Sequence, residues 1–359
     1  MNLHFYPPSP EDNTMLDQQE KYRYQRQLDL SQVGEKGQEK LKQAKVLVVG
    51  AGGLGCPALL YLSAAGVGTI GMIDHDEVEL SNLHRQVLYT AQDIGKKKTT
   101  VAKEKLQAIN PHIQINAYPE SFSPHNALEL CREYDIVIDG TDNFQAKYLI
   151  NDATLISNTP MVFASIYKFE GQLSVFNYQE GPSYRCIFPE HHRLDPNSCT
   201  DTGVLGVLPG LLGTMQATET IKIILGIGKV LSGEMKIINT HTSEEQVLEF
   251  ERNEKEIQRV IETGLKSIPD PTERILDSVV YLDIREAHES PKVDQENVLC
   301  IPMSKLAKRL EEIPRDRDVI VFCQTGIRSR EAVNYLKDKH QFQNIHSLEG
   351  GVHNLKLIK

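Results

Sequence analysis

Lys45-Val46-Leu47-Val48-Val49-Gly50-Ala51-Gly52-Gly53-Leu54-Gly55 runs from four consecutive apolar residues into a glycine-rich turn. Residues 46–49 read as a short buried strand. Residues 54–65 have helical spacing, with Pro57 in the first turn, where its missing N–H costs nothing. Residues 69–73 are a second strand, 97–109 a long helix and 136–138 a third strand that ends in Asp139-Gly140-Thr141-Asp142. Strands alternating with helices predict an α/β fold, a Rossmann-like layer with a mostly parallel sheet and helices on both faces.

The pattern restarts further on. Residues 251–271 are charged, carry Pro269 and Pro271, and read as a linker, after which residues 279–282 and 319–322 are short strands and 330–339 a helix. The expected organisation is therefore a flexible, proline-bearing arm at 1–16, an α/β domain at 17–250, the linker, and a small α/β domain at 272–359. The 359 residues are 40% hydrophobic and 25% charged, as in ordinary globular chains, and have a formal net charge of -10. Such a charge repels phosphate backbones, and no basic patch beyond Lys96, Lys97 and Lys98 offsets it, so no nucleic-acid partner is expected. The start lacks the order of a signal peptide, and no apolar run approaches the roughly twenty residues that span a bilayer, so a cytoplasmic protein without a membrane partner is expected. Six cysteines in a chain of this length read as separate thiols.

A glycine turn between strand and helix lets phosphate approach backbone N–H groups, and Asp74, at the end of the next strand, is placed for ribose hydroxyls. These two features alone would fit a nicotinamide-dependent dehydrogenase. The run from Asp74 to Gln86 (DHDEVELSNLHRQ) carries more polar groups than that site can use. Together with Arg23-Tyr24-Gln25-Arg26-Gln27, Gly95-Lys96-Lys97-Lys98, Ile109-Asn110-Pro111 and Asp139-Gly140-Thr141-Asp142-Asn143, it resembles the enzymes that adenylate ubiquitin-like proteins. The resemblance is to the molybdopterin-synthase and thiazole-biosynthesis adenylyltransferases, including relatives with a rhodanese domain, and covers residues 20–250.

It implies ATP and magnesium as ligands and a small ubiquitin-like sulfur carrier ending in Gly-Gly as the protein substrate. It places Gly50, Gly52, Gly53, Gly55, Asp74, Asp76, Asn82, Arg85, Gln86, Lys98, Asp142 and Asn143 at the nucleotide. Asp74 would contact the ribose, and Asn82 and Arg85 the triphosphate. Arg26 would reach the nucleotide of a second copy, which makes the expected state a homodimer. Attack of a carboxylate on an α-phosphate needs its negative charge gathered and neutralised; Arg85 and Lys98 can do this, and Asp142 can hold magnesium. The competing reading takes Arg85 and Lys98 as solvated charges and Asp142 as a helix cap.

Relatives commonly hold a structural zinc with two Cys-x-x-Cys pairs. Here only Cys186 stands at the first pair and residues 252–256 (RNEKE) at the second, so no zinc site is expected. Cys199, in an aperiodic polar loop (residues 195–204), matches the family's position for a cysteine that attacks the acyl-adenylate; an incidental loop thiol is the alternative.

Asp318-Val319-Ile320-Val321-Phe322-Cys323-Gln324-Thr325-Gly326-Ile327-Arg328-Ser329 reads as strand, thiol, tight loop and helix, a setting that favours the thiolate. With Leu282-Asp283-Ile284-Arg285-Glu286 and Leu348-Glu349-Gly350-Gly351-Val352 it resembles a rhodanese domain from residue 272 onward, with Leu355 where a tryptophan is usual. Cys323 to Arg328 would cradle a persulfide, loaded by a donor such as a cysteine desulfurase or thiosulfate. A phosphatase loop has one more residue between its cysteine and arginine, and an inert domain with a buried thiol is the other alternative. The expected activity is adenylation of the carrier's terminal glycine followed by sulfur transfer to give a thiocarboxylate, in molybdenum-cofactor synthesis or, next, in thiamine or another sulfur route. A module that docks ubiquitin-like proteins without catalysis is the remaining alternative.

Overall fold

The computed structural model describes residues 15–189, 203–265, 280–286, 288–293, 297–348 and 351–355, and the chain divides into two units, Met1–Ile268 and Pro269–Lys359. Among the described residues no helix is long and apolar enough to cross a membrane.

The first unit contains β1 (Lys45–Val49), β2 (Thr69–Ile73), β3 (Gln114–Tyr118), β4 (Ile136–Asp139), β5 (Met161–Tyr167), β6 (Glu170–Phe176), β7 (Glu234–Asn239) and β8 (Glu244–Glu249). They form one eight-stranded sheet in the order β3-β2-β1-β4-β5-β6-β7-β8. The pairs from β3 through β5 are parallel and those from β5 through β8 antiparallel. β1 shows why the parallel part reads as an unbroken apolar run. Val46 and Val48 enter one core with Leu59, Leu62, Ile70, Met72 and Leu106, while Leu47 and Val49 enter another with Tyr148, Phe163, Phe176 and Tyr184. A strand covered on both faces has no polar side to alternate with.

The helices are α1 (Gln18–Arg23), α2 (Gln25–Leu28), α3 (Gly34–Gln43), α4 (Gly55–Ala65), α5 (Lys98–Ile109), α6 (Ala127–Glu133), α7 (Phe144–Ser157), α8 (Tyr184–Ile187), α9 (Val207–Leu225) and α10 (Glu254–Thr263). The last of these corrects the reading of residues 251–271 as a linker. Asn253 caps α10 by accepting from the N–H groups of Lys255 (3.2 Å) and Glu256 (3.4 Å), and Ile257 and Val260 are buried on the side that packs against α7 and α8. The charge density that suggested a linker belongs to the outer face of an amphipathic helix. At the other end, residues 1–14 of the expected arm lie outside the described residues. Asp17 already caps α1, with a capping box to Glu20, and Leu16 before it is buried.

The antiparallel half of the sheet has a hairpin that the sequence pattern does not announce. Tyr167 pairs with Glu170, so β5 and β6 are joined by Lys168 and Phe169 alone, and Lys168 adopts φ +55 in a turn where glycine or asparagine would be the usual signal.

Topology positions the site. After β1 the chain turns to one side of the sheet and β4 enters on the other, so a crevice opens at the carboxyl ends of these two strands. The turns meet there closely. Gly50 has φ +92, and a Cβ on it would lie 2.8 Å from the carbonyl oxygen of Gly140; one on Gly55 would lie 1.9 Å from that of Gly50. Only glycine fits either place.

The turn after β4 is braced from below by Lys147, whose ammonium is buried and donates to Asp139 Oδ2 (2.9 Å) and to the carbonyls of Thr141 (3.0 Å) and Ala164 (2.9 Å). Asp139 Oδ1 accepts from the N–H (3.0 Å) and hydroxyl (2.6 Å) of Thr141, and the side-chain amide of Gln216 donates to the Asp139 carbonyl (2.8 Å). β4, β5, α7 and α9 are tied at one point.

The second unit has β9 (Val280–Asp283), β10 (Val298–Cys300), β11 (Val319–Phe322) and β12 (Ile345–Ser347), all parallel in the order β10-β9-β11-β12, with α11 (Ile327–His340). Leu282, Ile284, Val319, Val321, Leu336 and Ile345 form its core. Leu355, which stands where the resemblance has a tryptophan, is buried with Tyr281, Phe322 and Val352.

The substitution Lys147→Met should strand the Asp139 carboxylate in the core and cost about 3–5 kcal/mol, read as an earlier transition of the first unit in urea unfolding followed by circular dichroism. Combining Lys147→Met with Asp139→Asn should recover part of that loss, because the buried charge is gone.

Candidate active sites

Several of the polar groups predicted for the nucleotide stand at or near the turn after β1. Asp74 binds the turn itself: its Oδ2 accepts from the N–H of Ala51 (2.8 Å) and its Oδ1 from that of Asp76 (2.8 Å). The Ala51 carbonyl accepts from the Tyr89 hydroxyl (2.9 Å) and the Cys56 thiol (3.4 Å), so the loop is held from both sides. A Cβ on Gly52 would meet nothing nearer than Gln86 Nε2 at 3.6 Å, and one on Gly53 would lie 3.5 Å from Arg85 Cγ. Arg85 and Gln86 therefore stand directly against the loop.

The short segment that carries them is internally bonded. Arg85 Nη1 donates to the Ser81 carbonyl (3.3 Å) and to His84 Nε2 (2.9 Å), and no carboxylate pairs with it among the described residues. Asn82 Oδ1 accepts from Gln86 Nε2 (3.0 Å), and Gln86 Oε1 is a buried acceptor left without a partner. An orphaned buried acceptor of this kind costs about 1–3 kcal/mol and belongs to a site that a ligand or water completes.

Lys98 is buried at the start of α5 and its Nζ lies 2.7 Å from Asp76 Oδ2. Burial pushes the Asp76 carboxyl up, but the bond and charge of Lys98 outweigh it and hold the group below the usual carboxylate range. Asp142 is exposed, two residues beyond the Gly140 that abuts Gly50, and makes no hydrogen bond or ion pair among the described residues. It is not the helix cap that the competing reading made of it; Asn143 is, accepting from the Ala146 N–H at 2.9 Å. That leaves Asn143 committed to α7.

Arg26 is not gathered into this cluster. Its side chain is 98% exposed and its one ion pair is a 3.9 Å contact with Asp29. Cys199 lies outside the described residues. Cys186 Sγ accepts from the N–H groups of Ser183 (3.3 Å) and Asn253 (3.2 Å), while Arg252 donates to the Glu180 carbonyl (2.7 Å) and to Glu254 (2.5 Å).

The second unit holds the other cluster. The loop after β11 curls so that Cys323 Sγ accepts from the N–H groups of Gly326 (3.1 Å) and Ser329 (3.4 Å) and lies 3.7 Å from the Ser329 hydroxyl. Burial works against ionisation here, but those donors prevail and the thiol is held below its ordinary value. Cys56 and Cys131, buried without such donors in force, are pushed up to about 12. Ser329 is anchored by the Gly326 carbonyl (3.1 Å) and the Ser347 hydroxyl (2.8 Å). Gln324 approaches Arg285 at 3.5 Å, and Arg285 is held by Asp283 (2.7 and 2.9 Å). Arg328, expected as a cradle donor, turns both terminal nitrogens to Glu289 (2.8 and 2.6 Å).

The profile of the ThiF family matches residues 24–259, and that of the rhodanese-like domain residues 272–357. The chain belongs to the ThiF family. It is 48% identical over 239 residues to a sulfur carrier protein adenylyltransferase of Thermus thermophilus, covering 64% of this chain and 88% of that one. Over 376 residues, 96% of this chain and 95% of the relative, it is 37% identical to a probable adenylyltransferase/sulfurtransferase, MoeZ, of Mycobacterium tuberculosis. The crystal structure of Escherichia coli MccB with MccA-N7isoASN shares the fold, with a TM-score of 0.59 and 23% identity, over 67% of this chain and 74% of that one. The ThiF-family chain is thus an adenylyltransferase that carries a sulfurtransferase domain.

Reading the residues in sequence missed Lys147, Ser329 and Glu289. Ser329 follows the cysteine at a fixed short spacing and was within reach; Glu289 was not, because its partner lies 39 residues away.

The alkylation rate of Cys323 by iodoacetamide should have its midpoint below the pH of about 8.5 typical of a free thiol. Ser329→Ala, which removes the side-chain hydrogen bond that helps to hold the thiol down, should move the midpoint upward. An unmoved midpoint would show that the backbone N–H groups alone set it.

Proposed function

We propose that this chain adenylates the C-terminal glycine of a small ubiquitin-like sulfur carrier and then converts it to a thiocarboxylate, most directly for molybdenum-cofactor synthesis, with thiamine or another sulfur pathway as the second candidate. One observation carries the reading: an arginine and an exposed carboxylate on the abutting turn, neither with an ion-pair partner among the described residues, stand with a buried lysine at a glycine loop. The names of the relatives, which include a probable molybdopterin-synthase adenylyltransferase of Porphyra purpurea, support the choice of pathway.

The residues fit ATP. Gly52 leaves the approach to the loop open, Asp74 has oxygen lone pairs left for the ribose, and Gln86 Oε1 awaits a donor. In the adenylation step a carboxylate oxygen of the carrier forms a bond to the α-phosphorus and pyrophosphate leaves with the electron pair. Arg85 and Lys98 gather and neutralise the phosphate charge, Lys98 being already desolvated and therefore stronger in its field. Asp142, free and exposed, would hold magnesium, which supplies charge neutralisation on the phosphates. Arg26 is assigned to the nucleotide of a second copy, its side chain being almost wholly exposed with a long contact to Asp29; exposed Tyr22 and Leu30 near it in sequence suit a covered homodimer face.

Cys323 would carry the sulfur as a persulfide, stabilised by the loop's N–H groups. Its terminal sulfur attacks the acyl-adenylate, releasing AMP and forming an acyl disulfide. A second thiolate must then attack Cys323 Sγ, leaving the carrier thiocarboxylate and a disulfide at Cys323; Cys199 is the candidate within this chain, either here or as an acyl relay. The donors around Cys186 do not fit zinc: a single thiol sits among N–H groups, which cannot coordinate a cation, and Arg252 stands at the position of the second pair. We assign no zinc.

ATP–pyrophosphate exchange should depend on added carrier and fall at least about a hundredfold in Asp142→Ala, on the scale of losing one group that stabilises developing charge. It should persist in Cys323→Ala, while thiocarboxylate formation, read as a mass shift on the carrier, is lost. Exchange that survives Asp142→Ala would overturn the assignment of magnesium to Asp142.

A further inference from the structure

The loop around Cys323 ends in a cation, Arg328, and the structure shows it already paired. Glu289 takes both terminal guanidinium nitrogens, at 2.8 and 2.6 Å, and its Oε1 also accepts from the Glu286 N–H at 2.8 Å. The pair is half-buried, with 36% of the Arg328 side chain and 18% of the Glu289 side chain exposed. The other arginine near the loop, Arg285, is likewise held by Asp283, and Glu286 adds a further carboxylate that binds the Ser304 N–H and hydroxyl at 3.1 Å. Two guanidinium groups thus face three carboxylates, and the cysteine itself acts as an anion. Bidentate pairing leaves little of the guanidinium's directed donor capacity for a ligand.

Sulfur donors differ in charge. In one reaction the Cys323 thiolate attacks the sulfane sulfur of thiosulfate, a dianion, and sulfite leaves with the bond pair. In the other it attacks the terminal sulfur of a persulfide, a monoanion or neutral when protonated, and the parent thiolate leaves. Both transfer one sulfur with no net redox change, so the loop can distinguish them by charge at its mouth. We propose that Glu289 determines donor choice: by occupying Arg328 it withholds the cation that a sulfonate would need, and so turns the loop toward persulfide donors and away from thiosulfate. Glu289 is a positioning residue, acting through Arg328 and not on the sulfur. The inference rests on Cys323 being the persulfide carrier. A carboxyl held down to about 2, chiefly by the Arg328 bonds and against some burial, keeps the pair closed at any physiological pH.

The test uses the full chain and compares kcat/KM for sulfur uptake by Cys323 from thiosulfate and from glutathione persulfide. Glu289→Gln keeps the oxygen that accepts from Glu286 and loses the charge; Glu289→Asp keeps the charge but shortens its reach. In Glu289→Gln the thiosulfate-to-persulfide ratio should rise about tenfold, mainly through a lower KM for thiosulfate, and added salt should erase the gain. Glu289→Asp should rise less, and Glu289→Gln with Arg328→Ala should lose the gain. A ratio unchanged in both single variants, or a gain that survives removal of Arg328, would overturn the role of Glu289 while leaving the persulfide reading intact. A wild-type chain that takes sulfur from neither donor would overturn both.

Discussion

Lys147 donates into the seam between β4 and β5 through three hydrogen bonds, and the placement of the nucleotide site follows from that one ammonium. A charge in this position is expensive to desolvate and is tolerable only because Asp139, the Thr141 carbonyl and the Ala164 carbonyl satisfy every donor. In return the end of β4 is bonded through both the side chain and the carbonyl of Asp139. Thr141 is fixed by the same carboxylate, so Gly140 is pressed against Gly50 and Asp142 emerges at the rim of the crevice instead of folding back onto its own helix. Asn143 then begins α7 as its cap. The order along the chain is therefore brace, close approach, free carboxylate, cap, each supported by the one before.

Taken unit by unit, the cations of the two clusters fall into two groups. Lys98 and Arg328 are held by carboxylates on the same unit, whereas Arg85 has none among the described residues. For a phosphate ligand the difference is large. Binding to Arg85 displaces water and weak neutral partners. Binding to Lys98 competes with Asp76, or recruits the pair by drawing Lys98 toward the ligand and leaving Asp76 to solvent, where half of its side chain already lies. An acidic chain with a formal net charge of -10 can present such clusters without attracting polyanions at large, because its overall field repels them and the cations act only at close range.

The parallel half of the sheet was legible because strands buried on both faces are continuous apolar runs, and β1, β2 and β4 fall within a residue or so of the positions expected from them. The antiparallel half was not: the β5–β6 turn uses Lys168 at positive φ, and β8 is exposed along its whole length, so neither turn chemistry nor an apolar stripe marks them. Likewise α10 hid in a charged stretch because only Ile257 and Val260 face the core. At the sites, the candidate residues could be named from their type and spacing. Those that aim them, Lys147 beneath Asp139 and Glu289 beside Arg328, depend on pairings set by the fold, and a lysine among the apolar residues of α7 is the only trace that one of them leaves in the sequence.

The thiols show how far environment decides chemistry once composition is given. Cys56 sits in the first turn of α4 directly behind the phosphate loop, where a helix start would favour an anion, yet burial pushes it up to about 12 and its thiol serves as a donor to the Ala51 carbonyl. Cys131 is silenced by burial in the same way. Cys186 is held by backbone N–H groups at a joint between α8 and α10, where it links two segments. Among the described residues, only in the loop after β11 do two N–H groups converge on a sulfur with a hydroxyl in reach, enough to overcome the cost of burial. An acyl-adenylate formed on this chain is therefore not at risk from Cys56, the thiol lodged behind its own nucleotide loop, since that sulfur stays protonated. In the proposed route the sulfur comes instead from the loop of the second unit, where hydrogen-bond donors hold the Cys323 thiol below its ordinary value against the cost of burial.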